Sequence, residues 1–152
     1  HTRKHNILCV GGAISIDRSF RLSQMDYNRI LGKQRLPLYW KDEMFRYDEE
    51  QLQILNDEGI KIDTVITHSA PDFCPPFTKG DVEHFCANDD DLTSDLDKER
   101  KDFTRLYEWL VGNERPLINW FYGHFHASAK IYDETMKIRF CLLNINELSR
   151  LK

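Results

Sequence analysis

Residues 118–126, Ile-Asn-Trp-Phe-Tyr-Gly-His-Phe-His, limit most strongly what this chain can become. An apolar run ends in Gly123, and His124 and His126 then flank a single phenylalanine. Side chains of an extended strand alternate faces, so residues two apart point the same way. Read as a strand, the segment aims both imidazoles into one space at the strand's end. Gly123 has no Cβ and permits a sharp exit or a close neighbour. Neutral imidazole is a common ligand for Zn, Fe, Mn and Ni, so two converging rings point to a metal site. Taken alone, the pattern describes two ordinary loop histidines, one capping a backbone group, better than it describes a metal site.

The elements on either side decide between these readings. Residues 6–13, Asn-Ile-Leu-Cys-Val-Gly-Gly-Ala, read as a strand buried on both faces that closes in a glycine turn. Residues 14–21 are polar and aperiodic, which predicts a loop. Asp17 and Arg18 there form a local ion pair, or a polar wall beside a site at the strand's end. Tyr39, Trp40 and Phe45 are expected to anchor a loop on the core. A base-stacking surface needs a basic groove beside it, and Asp42 and Glu43 are adjacent instead. Asp48 and Gln51 form a capping box, Leu52 and Leu55 supply the apolar pair of the helix that follows, and Gly59 stands at its C′ position. Residues 62–67 then read as a strand that runs directly into His68. A helix and a strand with polar groups at the strand's C-terminal end fit an α/β unit, where sites gather at strand ends.

Residues 72–94 are long and irregular, as lids and binding loops are. Their acidic run, Asp89-Asp90-Asp91, lacks the spacing of a calcium loop and reads as a solvated turn. Ser94 or Asp95 caps a helix over 95–111, with Phe103, Leu106, Tyr107 and Leu110 on one face and Gly112 as its stop. Residues 129–133 and 136–143 predict a hairpin. No apolar run approaches the roughly 20 residues of a membrane span. The net charge of −4, with no Lys/Arg cluster, argues against an extended nucleic-acid face. None of Cys9, Cys74, Cys86 and Cys141 forms Cys-x-x-Cys. Cys9 and Cys141 lie in apolar runs and are expected to be buried, whereas Cys74 and Cys86 lie in the polar loop and pair or stay free. Without a secretory signal, reduced thiols and a cytoplasmic location are the expectation.

Three histidines now stand at two strand ends. His68, His124 and His126 are the candidate metal ligands, for one zinc or for half of a larger site. A dinuclear centre of hard metals also needs carboxylates, one of them bridging. Asp81, in Gly80-Asp81-Val82-Glu83-His84, imitates a metal box but follows no apolar strand. Gly112-Asn113-Glu114 reads as a helix stop.

In this order the motifs resemble the C-terminal half of a calcineurin-like metallophosphoesterase, over about residues 7–143. Val65-Ile66-Thr67-His68-Ser69-Ala70-Pro71 is similar to that family's Thr-His box, and Tyr122-Gly123-His124-Phe125-His126 to its closing Gly-His-x-His box. Cys9 through Arg18, with Trp40 and Glu43 beyond, resembles the Gly-Gly-Ala…Asp-Arg…Trp…Glu run of bacterial and phage members. The resemblance implies an α/β domain that is part of a four-layer α-β-β-α sandwich, with mixed sheets flanked by helices. It implies two divalent ions (Mn, Fe or Zn), with His68 and His124 on one and His126 on the other. It also implies hydrolysis of a phosphate mono- or diester by a metal-activated hydroxide.

The family's earlier boxes, Asp-x-His, Gly-Asp-x-x-Asp and Gly-Asn-His-Asp/Glu, are absent. Residues 1–152 are therefore expected to be a single, N-terminally truncated domain that carries no confidently catalytic residue of its own and turns over little alone. The alternative is a non-enzymatic half-domain, an interaction module that self-associates through exposed sheet edges or needs another chain to complete it. A mononuclear zinc hydrolase would need a base, for which Asp72 is the sequence-local candidate.

Overall fold

A computed structural model describes residues 2, 4–33, 35–77, 82–113 and 116–151. Five short strands form one mixed sheet. They are β1 (Ile7–Val10), β2 (Thr64–Thr67), β3 (Asn119–Tyr122), β4 (Ala129–Asp133) and β5 (Ile138–Leu142), in the order β1-β2-β3-β5-β4. The first four in that order run parallel, and β4 pairs antiparallel with β5. The helices are α1 (Arg18–Ile30), α2 (Glu49–Asp57), the single turn α3 (Glu83–Cys86) and α4 (Leu92–Gly112). The fold is thus α/β, with a mixed sheet and helices. Among the described residues, no helix is long and apolar enough to cross a membrane.

Register explains the core. Leu8, Val65, Trp120, Phe140 and Ile131 stand side by side across the sheet. This row meets the apolar stripe of α4, where Phe103, Leu106 and Leu110 are fully buried. Trp120 and Phe140 stack with ring centroids 6.0 Å apart. Truncating a fully buried residue such as Leu110 to alanine would cost about 2–5 kcal/mol. Leu52 and Leu55 of α2 pack on the same cluster. The N-cap is present as read, with Asp48 Oδ1 accepting the Gln51 backbone amide at 3.2 Å. The Gln51 side chain donates to Asp48 Oδ2 at 2.9 Å rather than returning to the Asp48 backbone, and Gly59 closes the helix at φ +64°.

On the sheet's other face the row is Cys9, Ile66, Phe121, Cys141 and Lys130. Phe121 and Cys141 are covered, with the Arg139 guanidinium over the Phe121 ring at 5.4 Å and tied to the Arg150 carbonyl oxygen. Cys9 is exposed and Ile66 is 40% exposed, so this face is open at its β1 end. Here the expectation of a strand buried on both faces fails. The β1 run is uniformly apolar, but it is an edge strand covered on one side only. Cys141 and Cys74 are buried, and all four cysteines are free thiols.

Other expectations also need correction. Residues 14–21 were expected to be a loop, yet α1 begins at Arg18. The helix buries no residue, and its apolar side chains Phe20, Tyr27 and Ile30 stay exposed. Arg18 does not pair with Asp17. Its guanidinium donates to Asp89 at 2.5 and 2.7 Å and to Asp95 at 2.6 Å, while Asp17 takes Arg21 at 2.7 Å. The acidic run is accordingly not a wholly solvated turn: Asp89 is nearly buried, and Asp90 and Asp91 are exposed. Phe45 does anchor its loop, stacked on Phe103 at 4.3 Å, but Trp40 is 60% exposed. The helix expected over 95–111 starts earlier, at Leu92.

Candidate metal-binding site

Parallel strands place their carboxyl ends on one side, and the loops that leave those ends enclose a crevice. The segments after β1, β2 and β3 line a cavity of about 920 Å³ here, together with Glu43, Arg100 and the turn at Val82–Phe85. His68, His124 and His126 all line it. The Gly123 amide donates to the His68 carbonyl oxygen at 3.3 Å, which holds the second and third loops together.

The histidines reach the cavity by a route other than strand alternation. β3 ends at Tyr122, and the chain then turns, with His124 at φ +70° and His126 at φ +50°. The Phe125 amide closes this turn onto the Gly123 carbonyl at 2.9 Å. Left-handed backbone at a residue with a Cβ costs about 1–2 kcal/mol, and such strain concentrates at functional sites. Two strained histidines within three residues therefore mark this turn.

His124 Nδ1 lies 3.1 Å from His68 Nε2. Two imidazole nitrogens each bound at about 2.0–2.1 Å to one tetrahedral Zn²⁺ would be separated by about 3.3–3.4 Å, a little more than the hydrogen-bonded distance between these rings. Burial, followed by repulsion from His68 and His126, pushes the His124 pKa down to about 4. At neutral pH the ring is therefore uncharged, the form that ligates a metal. The pair thus fits two ligands of one divalent cation. His126 shares the cavity but does not join the pair. Among the described residues, no three His, Cys, Asp or Glu side chains come close enough to hold a metal ion.

The other candidates fall elsewhere. Asp72 accepts the Thr104 hydroxyl at 2.7 Å and staples its loop to α4, outside the cavity lining, so the mononuclear reading loses its base. Asp81 and Glu114 lie outside the described residues. Burial pushes the Cys74 thiol up to about 12, which leaves it inert near neutral pH. Arg100 donates to the carbonyl oxygens of Pro71, Cys74 and Pro76, fixing the wall that follows His68.

Two carboxylates have no role in the site on the sequence reading: Glu99, which is not singled out there, and Glu43, which enters only within the resemblance and beside Trp40. Glu43 lines the cavity, and its Oε1 accepts the Ser15 amide at 2.8 Å. Glu99 lies beneath, 1% exposed, and its Oε1 accepts the Ile14 amide at 3.0 Å. A signal for Glu99 was present in the chain: it sits four residues before Phe103 on the buried face of α4, an acid within an apolar stripe. Glu43 is marked only as the end of the Trp…Glu run of the resemblance, with no local sign of a role in the site. Compared with family models, curated proteins and solved structures, the chain matches none.

Proposed function

We propose that this chain supplies the imidazole side of a dinuclear-metal phosphoesterase, which hydrolyses phosphate mono- or diesters. Its sheet would be one half of a four-layer α-β-β-α sandwich. The observation that carries the reading is the 3.1 Å approach of His68 Nε2 and His124 Nδ1 at adjacent parallel strand ends. In this reading His68 and His124 hold one cation, and His126, on the same strained turn, faces the second. The bridging and terminal carboxylates come from further polypeptide, and without them this stretch turns over little. Two divalent ions (Mn, Fe or Zn), when bound, would acidify water and neutralise phosphate oxygens. This chain's own residues hold the imidazoles neutral and oriented and wall the crevice. Free thiols at all four cysteines support a reducing compartment, the cytoplasm, for this activity.

The test is hydrolysis of p-nitrophenyl phosphate and bis-p-nitrophenyl phosphate by the natural full-length protein with Mn²⁺. His124→Ala and His126→Ala should abolish turnover of whichever ester is cleaved. Unchanged turnover in His126→Ala would refute the site assignment. One observation favours a second reading, a half-domain that binds another chain: Cys9 and Ile66 leave the β1 end of the sheet uncovered.

A further inference from the structure

An imidazole pair brings no negative charge to a divalent cation, and the lining of the same cavity offers some. We propose that Glu43 is the carboxylate that faces a cation held by His68 and His124, acting through a bridging water. This rests on the metal-site reading above and adds a residue to it.

The chain builds Glu43 into place from three sides. Leaving β1, the backbone passes Gly12 at φ +92°, where a Cβ would lie 2.3 Å from the Glu43 carbonyl oxygen. Only glycine permits that approach. Three residues on, the Ser15 amide donates to Glu43 Oε1 at 2.8 Å and orients the carboxylate. Beneath both, Glu99 accepts the Ile14 amide at 3.0 Å, and the nearby Phe45 backbone and Ser69 side chain favour its ionised form. One buried carboxylate therefore pins the segment after β1 beside the segment carrying Glu43 and the loop carrying His68.

The charge balance singles out Glu43. Asp17, another carboxylate of the cavity lining, is neutralised by Arg21 at 2.7 Å. Among the described residues Glu43 forms no ion pair. It shares the cavity with all three histidines, and its negative charge acts on His124. It does not complete a group of three direct ligands. The fitting role is therefore outer-sphere: its carboxylate accepts a hydrogen bond from water on the cation and offsets the cation's charge. Outer-shell partners of this kind are worth about 10–100-fold in metal affinity.

The test is calorimetric titration of the full chain with Zn²⁺ and with Mn²⁺, for wild type, His124→Ala and Glu43→Gln. The glutamine keeps the shape and an oxygen for the Ser15 amide but removes the charge. The expected result is loss of binding in His124→Ala and a fall of about 10–100-fold in Glu43→Gln, with an unchanged melting temperature. Wild-type affinity in Glu43→Gln, with binding lost in His124→Ala, overturns the role of Glu43 and leaves the histidine site standing. Wild-type affinity in His124→Ala overturns the metal reading itself. If Glu43→Gln does not melt cooperatively, the carboxyl ¹³C resonance of Glu43 is followed in wild type during Zn²⁺ titration. A shift saturating with the calorimetric isotherm supports the proposal, and a stationary resonance overturns it.

Discussion

At the scale of single residues, Glu99 shows how the site is paid for in stability. Burial pushes its carboxyl from 4.5 up to about 7, against hydrogen bonds from Ser69, Ile14 and Phe45 that favour the ionised form. Between those two pH values the folded chain retains a proton that the unfolded chain has released. The contribution of Glu99 is therefore fully present below about pH 4.5 and is lost as pH rises through about 7. His124 is shifted the opposite way, so the raw stability curve mixes two slopes. Subtracting the curve of Glu99→Gln isolates the glutamate. Urea denaturation from pH 4.5 to pH 8 should show wild type losing stability relative to the variant, by up to about 3 kcal/mol. The difference should level off above pH 7. Parallel curves would mean that Glu99 titrates like an exposed glutamate.

At the scale of elements, what could be read from the sequence was what local physics specifies. The N-cap at Asp48, the α4 stripe and the strand before His68 each declare themselves within a few residues. Convergence of His68 with His124 was also legible, because both follow strands of one parallel sheet. The route was not, since a left-handed turn at His124 leaves no local pattern. Helix α1 was illegible for a related reason. It is held by Arg18, whose partners Asp89 and Asp95 lie 71 and 77 residues away, while Phe20, Tyr27 and Ile30 stay more than half exposed. Those ion pairs lie between the surface and buried regimes, so breaking them should cost about 1–3 kcal/mol. Arg18→Met should accordingly strip hydrogen-exchange protection from amides in 18–30 while β2 and β3 stay protected. Unchanged protection in α1 would show that the helix is held by something other than its arginine.

At the scale of the whole molecule, the sheet is asymmetric. α2 and α4 close one face, and the β1 end of the other is open. The apolar run 7–10 suggested burial on both sides because composition does not say which strand is an edge. The thiols report this asymmetry directly. Cys74 and Cys141 are fully buried, Cys86 is half-buried with its sulfur 3.1 Å from the Thr93 hydroxyl, and Cys9 is exposed. With a maleimide near neutral pH, Cys9 should react first and Cys86 next, while Cys74 and Cys141 should react only on unfolding. Cys9→Ser should remove the fast phase alone. The same labelling distinguishes the two functional readings. If a second sheet completes a sandwich, it must cover Cys9 and Ile66, and the fast phase should vanish in the natural full-length protein. If Cys9 stays reactive there, the second sheet does not lie on this face, and the open end remains free for another chain.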